Sequence, residues 1–450
     1  MWTDDQAGAG PTDETPDDTA PTAHGPPAAA AGDAAAPDES PLAPAPAPAM
    51  AAPPRRVRLQ RTGVFQYPAD GVARVPSPDA PPPTEAPALE DPAAPPPPNT
   101  LTRWRGLLLG TALGDALGLP LEGLTPMRAA RLFPGPVRHR LLPGYGMISD
   151  DTEHAVLVAQ ALLAHPADAS RFARRLAWGL RGWLLGLPAG VGFATLRACL
   201  KLWLGCGPAT SGVWSAGNGP AMRAAPLGAF LARDPLLLAD FVRASTLMTH
   251  RDPRALTGAL AVARTAAWIV RDDLVGPPLV PPFLFLLRDC AVDDPAWQGV
   301  VTKLGDALAT DLTVPAFAAR LGLRRGVTGY VYHTVPVALY AWARHAGDFA
   351  GTLGAVIACG GDTDTTGAIA GALAGALTGE AGLPPDWIEG LQDWPRGVDL
   401  LGRLADALAW RAAGYPVVPV RYCWPGLPLR NLYFTSIVLA HGFRRLFPPY

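Results

Sequence analysis

The chain has 450 residues, a formal net charge of −2 and 49% hydrophobic residues, ample apolar material for a sizeable core. That balance offers no basic surface for nucleic acid or for an anionic membrane. Only Lys201 and Lys303 stand against 35 arginines in a Lys+Arg total of 37, which we read as a base-composition bias and not as a binding face.

Residues 1–50 carry nine Asp/Glu and no Lys or Arg, and 24 of the 52 prolines fall in the first 100 positions. Such a segment cannot bury enough apolar surface to offset its chain entropy. It predicts a disordered or polyproline-like tail over 1–100, followed by a helical domain over 101–450. Residues 55–67 alternate well enough for a short strand or docking peptide, able to cover a cleft or tether a partner protein. The five cysteines (Cys199, Cys206, Cys290, Cys359, Cys423) are scattered and form no CxxC pair. They argue against disulfides and against zinc, and with no signal-peptide pattern they point to the cytoplasm. No apolar stretch is long enough to span a bilayer.

The body reads almost wholly as helix. Gly106, Gly110, Gly114 and Gly118 recur every fourth residue through an apolar run, a stripe that lets another helix approach closely. Asp115 interrupts that run and Glu122 follows Pro120. Residues 149–164 predict a buried helix, with Asp150 and Glu153 spaced like a capping box. Helical patterns follow over 172–185, 222–232, 236–248, 253–272, 302–309, 314–320, 331–345 and 349–359, with a glycine-rich region over 204–219 and a loop over 276–282. Residues 366–378 contain only Gly, Ala, Ile and Leu between two threonines, as a tightly packed central helix requires. Helices over 387–393 and 398–412 and an aromatic-rich cover over 415–450 complete an all-α fold.

Chemistry concentrates in two acidic knots, Ser149-Asp150-Asp151-Thr152 and Asp362-Thr363-Asp364-Thr365, the second preceded by Gly360-Gly361. Acids at one helix start are ordinary caps. Two knots meeting in space would press like charges together unless cations lay between them. Oxygen-only donors favour Mg²⁺ or Mn²⁺, and their number suffices for two ions.

Taken together, Gly114-Asp115-Ala116-Leu117-Gly118 with Glu122, Ser149-Asp150-Asp151-Thr152, Gly217-Asn218-Gly219 with Met222-Arg223, Thr249-His250 and Gly361-Asp362-Thr363-Asp364-Thr365 form an ordered set. This set resembles the ADP-ribosylglycohydrolases over roughly residues 103–410. The resemblance implies an all-helical fold with a dinuclear Mg²⁺ or Mn²⁺ centre held by Ser149, Asp150, Asp151, Asp362, Asp364 and Thr365. It implies hydrolysis of the bond joining ADP-ribose to a protein side chain or a small compound. Glu122 and Asp151 are the candidates for base and acid, and Asp115, Gly217, Asn218, Gly219 and His250 for substrate binding, although Asp115 inside an apolar helix fits the orienting of a backbone amide better than contact with the cleft. The paired glycines would let backbone N–H groups approach a pyrophosphate. Arg223 fits the motif or an exposed surface equally well, and His154 fits packing better than function. The rivals are a non-catalytic ADP-ribose binder and a dimetal phosphohydrolase.

Overall fold

The computed structural model describes Pro96 and residues 98–449; the tail and the 55–67 insert lie outside the described residues. Every regular element in that range is helical, joined only by isolated β-bridges. In order they are α1 (Pro98–Gly118), α2 (Pro126–Leu132), α3 (Asp150–Ala164), α4 (Ala169–Leu185), α5 (Phe193–Trp203) and α6 (Gly219–Met222). Next come α7 (Ala225–Phe230), α8 (Pro235–Leu247), α9 (Pro253–Arg271), α10 (Val280–Arg288), α11 (Pro295–Ala309) and α12 (Val314–Arg320). The last six are α13 (Val331–Arg344), α14 (Phe349–Ile357), α15 (Thr363–Thr378), α16 (Pro385–Gly390), α17 (Val398–Ala412) and α18 (Leu427–Arg444).

The centre of the body is the pair α1 and α15, which touch backbone to backbone. A Cβ added to Gly106, Gly110 or Gly114 would lie 2.1, 2.2 or 2.0 Å from the carbonyl oxygen of Gly375, Gly371 or Gly367. No side chain fits in that space, so the glycine stripe of α1 is a packing requirement. The apolar α15 is buried along its length as far as Leu377. Its first turn therefore sits at a fixed height beside the end of α1, where Thr363 Oγ1 donates to Gly118 O at 2.8 Å.

Helix starts follow a local rule. Asp234, Asp252 and Asp294 each precede a proline at the first helical position and accept a backbone N–H from the first turn, joining an N-cap to a residue that has no N–H to leave unmet. The same chemistry explains where the loop expected over 276–282 stops short. Pro281 and Pro282 occupy the first turn of α10, where proline is tolerated. The predicted capping box of α3 is also corrected: Ser149 is the N-cap, and Glu153 turns away to other partners. Helices α2, α5, α10 and α18 were not legible as separate elements. No described helix is long and apolar enough to cross a membrane.

Candidate active site

Three backbone segments meet at the start of α15. Gly361 N donates to Leu124 O at 2.7 Å and Gly123 N returns a bond to Gly361 O at 2.7 Å. On the other side Val327 N donates to Gly360 O at 2.9 Å and Asp362 N to Val327 O at 2.8 Å. Gly360 and Gly361 have φ of +65° and +79°, a left-handed turn that a residue with a Cβ adopts only under strain. A Cβ on Gly361 would also fall 1.9 Å from Val327 O. This cross-linked turn aims the Asp362 and Asp364 side chains at the start of α3.

The two acidic knots meet there. Thr365 Oγ1 donates to Asp151 Oδ2 at 3.3 Å across 214 residues of sequence, and Ser149 Oγ reaches the same oxygen at 3.3 Å. Both knots line one cavity of about 700 Å³ together with Glu122, Gly217, Asn218, Gly219 and His250. Arg325 is the one cationic side chain among the lining residues. Helix α18 adds an apolar wall, Phe434 and Val438, and Phe193 stands 84% exposed at the rim.

Asp115, grouped above with substrate binding, does not line this cavity. It is fully buried, and its carboxylate accepts Ser149 N at 2.9 Å, Thr152 N at 3.2 Å and Thr152 Oγ1 at 2.6 Å. It positions the first turn of α3 from behind, and burial pushes its pKa up to about 6 against those hydrogen bonds.

The glycines at 217 and 219 carry a packing role. Gly217 N is bonded to Ser215 Oγ and Asn218 N to Gly329 O. A Cβ at Gly217 or Gly219 would lie 2.9 or 3.0 Å from the His250 ring. The glycines make room for that imidazole. Asn218 Nδ2 donates to Asp362 Oδ2 at 2.6 Å and to Thr334 Oγ1 at 3.0 Å, tethering a carboxylate of the second knot.

Arg223 is fully buried, not solvated. Its guanidinium donates to Ser245 Oγ, Ser245 O and Thr249 Oγ1 and meets His154 Nδ1 at 3.1 Å. Thr249 Oγ1 in turn lies 2.9 Å from His250 Nδ1. Burial and the Arg223 charge hold His250 down at about 3 and His154 well below the usual range, so both rings are neutral at ordinary pH.

Burial, followed by the neighbouring carboxylates, raises Asp150, Asp151 and Asp364 well above the usual range. The charges that raise those three groups are all other acids, while Arg223 and Arg445 act with the opposite sign near Asp150 and Asp364. Glu122 is raised by desolvation and by the charge of Asp362, against the opposing charge of Arg445. Asp151 Oδ1 is buried without a hydrogen-bond partner, an arrangement that costs free energy unless something binds it. Among the described residues no three His, Cys, Asp or Glu side chains enclose a metal ion by themselves.

A second acidic group lies just behind. Glu153 accepts from Trp183 Nε1, from Arg396 Nη2 and from Arg430 Nη1, the last at 3.1 Å. Arg430 also grips Asp393 and donates to Ile148 O at 2.6 Å, and Asp393 Oδ2 receives Ile148 N at 3.1 Å. Ile148, next to the first knot, is thus fixed on both its backbone groups. No local pattern announces this network, because Glu153 draws its arginines from 243 and 277 residues away.

A family model for ADP-ribosylglycohydrolase matches residues 96–415. The chain belongs to the ADP-ribosylglycohydrolase family of glycosidic-bond hydrolases. It is 31% identical over 312 residues to an uncharacterized protein of Archaeoglobus fulgidus, covering 65% of this chain and 92% of that one. Against the ADP-ribosylhydrolase ARH3 of Xenopus tropicalis it is 26% identical over 339 residues, 65% of this chain and 93% of the relative. A shorter match, 31% over 176 residues, joins it to the ADP-ribosyl-[dinitrogen reductase] glycohydrolase of Rhodospirillum rubrum, 37% of this chain and 58% of the relative. A solved ADP-ribosylglycohydrolase-related protein complex superposes with a TM-score of 0.53 at 29% identity, over 70% of this chain and 99% of that chain. Helix α18 lies beyond the residue at which the family match ends.

Proposed function

We propose that this protein hydrolyses the glycosidic bond between ADP-ribose and a protein side chain or a small acceptor, with two Mg²⁺ or Mn²⁺ ions among the two acidic knots. The observation that carries this reading is the meeting of Asp151 and Thr365 at 3.3 Å on the floor of a ligand-sized cavity. Four carboxylates, two hydroxyls and an unpartnered Asp151 Oδ1 suit hard cations. Since no three acids close a shell alone, Ser149, Thr365 and solvent or a substrate diol would complete it. When bound, the ions supply Lewis acidity and lower the pKa of water.

The chain's own residues do the rest. Asp115, Asp393 and Arg430 fix the turn that carries Asp150 and Asp151, so the floor is set before substrate arrives. Asn218 holds Asp362 from the opposite wall. Asp151 Oδ2 is engaged by two hydroxyls, whereas Glu122 is exposed in the cleft with a raised pKa. Glu122 is therefore the side chain placed to hand a proton to and from water or the leaving group. Arg325 lines the cavity as a cation suited to a pyrophosphate, and Phe193 as an exposed ring suited to a base.

The test is a panel of arginine-, serine- and acyl-linked ADP-ribose compounds, with and without Mg²⁺, on wild type and Asp364→Ala. Release of ADP-ribose by the wild type alone, and only with the cation, supports the proposal. Release of phosphate, or binding without product, contradicts it.

A further inference from the structure

A second cavity, of about 500 Å³, opens along the other end of α3, away from the acidic floor. Its walls are the Leu157–Ala164 stretch of α3, one face of α4 and residues 417–427, which follow the end of the family match. Three arginines line it, Arg175, Arg396 and Arg421, and no carboxylate does. In a chain of net charge −2 that is a local reversal of sign. Among the described residues neither the Arg175 nor the Arg421 side chain has a hydrogen bond or ion pair, and both are exposed. Arg396 is 1% exposed; one of its nitrogens is held by Glu153, but its Nε has no partner.

The remaining lining mixes aliphatic with aromatic side chains. Trp178, 65% exposed, Trp424, 48% exposed, and Tyr422 share the cavity with the arginines. At Gly182 the α4 wall has no side chain, and Trp424 Nε1 would be the only atom within 4 Å of a Cβ there. Flat π-faces beside unpaired guanidinium groups match one kind of molecule: a base carried on a phosphate. The volume lies within the usual range for such ligands.

We propose that this cavity is a second nucleotide site, taking a nucleoside di- or monophosphate with its phosphate on Arg175 and Arg421 and its base against the indoles. The site is separate from the acidic cleft and does not depend on the chemistry assigned to it.

The experiment is a titration of the full-length protein with ADP, adenosine and pyrophosphate, read by tryptophan fluorescence, because no tryptophan lines the acidic cleft. Wild type is compared with Arg175→Ser/Arg421→Ser, two exposed positions whose replacement leaves the melting temperature as a check on folding. Saturable quenching by ADP is expected, with a midpoint at least about tenfold higher in the double variant and with either fragment alone at least about tenfold weaker. Asp364→Ala is expected to keep the quench. An unchanged midpoint in the double variant, pyrophosphate acting as well as ADP, quenching lost in Asp364→Ala, or no saturation below about 1 mM ADP would each overturn the assignment.

Discussion

Asp151 and Glu153 sit two residues apart in the first turn of α3, both almost fully buried, in opposite electrostatic surroundings. Glu153 is met by two arginines and an indole N–H, and with Asp393 it forms a network whose two acids and two bases balance. Asp151 is met by two hydroxyls and by the charges of Asp115, Asp150 and Asp362, with one oxygen left unpartnered. The first group is neutral within the chain. The second keeps an excess of acid, with no ion pair to any of its members. A fold keeps such an arrangement at a cost in stability, which is how binding sites differ from structural ion pairs.

Substitutions should therefore separate the two groups. Asp364→Ala is expected to lower turnover on the order of 10² to 10³-fold while leaving the metal-free melting temperature unchanged or higher, because a repelling charge is gone. Steady-state kinetics and a thermal scan without divalent ions check this together; a drop in melting temperature would contradict it. Glu153→Ala should do the reverse in kind, costing about 3–5 kcal/mol in urea unfolding because Arg396 and Arg430 are left buried and unpaired. Glu153→Gln, keeping shape and a hydrogen-bond acceptor, should cost less. If Glu153→Ala unfolded like wild type, the network would not be what holds Ile148 and its neighbours.

The contrast also explains what the sequence disclosed. The knots were readable because each is four residues long and its chemistry is local. Glu153 invited a capping reading for the same local reason, and only the fold brings Arg396 and Arg430 to it from 243 and 277 residues away. Asp115, an acid inside an apolar run, was legible as a residue that orients backbone amides; that those amides belong to the first knot was not. Arg223 could not be placed from sequence because a buried arginine needs acceptors from two other segments, here α8 with Thr249 and α3. The glycine stripe of α1 was legible as a packing face; that its partner is α15 was not, since no pairing rule links the two.

That packing gives the next prediction in size. Gly114→Ala puts a Cβ 2.0 Å from Gly367 O and is expected to cost about 1–3 kcal/mol through overpacking. Because α1 and α15 carry the approaches to both knots, turnover should fall with it, in contrast to Gly299→Ala in α11, where a Cβ meets nothing within 4 Å.

The smallest effect is in pH. His250, held at about 3 by burial and Arg223, stays neutral in the folded state while the unfolded chain protonates near 6.5. Stability from this group is complete above that ordinary value and declines as pH falls from about 6.5 toward 3. Histidine NMR should show no His250 titration between about pH 5 and 8; a ring titrating near neutrality would contradict the burial argument.

The most direct measurement is Mn²⁺ binding followed by electron paramagnetic resonance on metal-stripped protein, for wild type, Asp151→Asn and Asp364→Asn. The account predicts about two ions per chain in wild type, affinity that weakens as pH falls because protons compete for carboxylates already raised by burial, and loss of binding in both variants. Wild-type protein that binds no Mn²⁺ and releases ADP-ribose at full rate in chelator would contradict it.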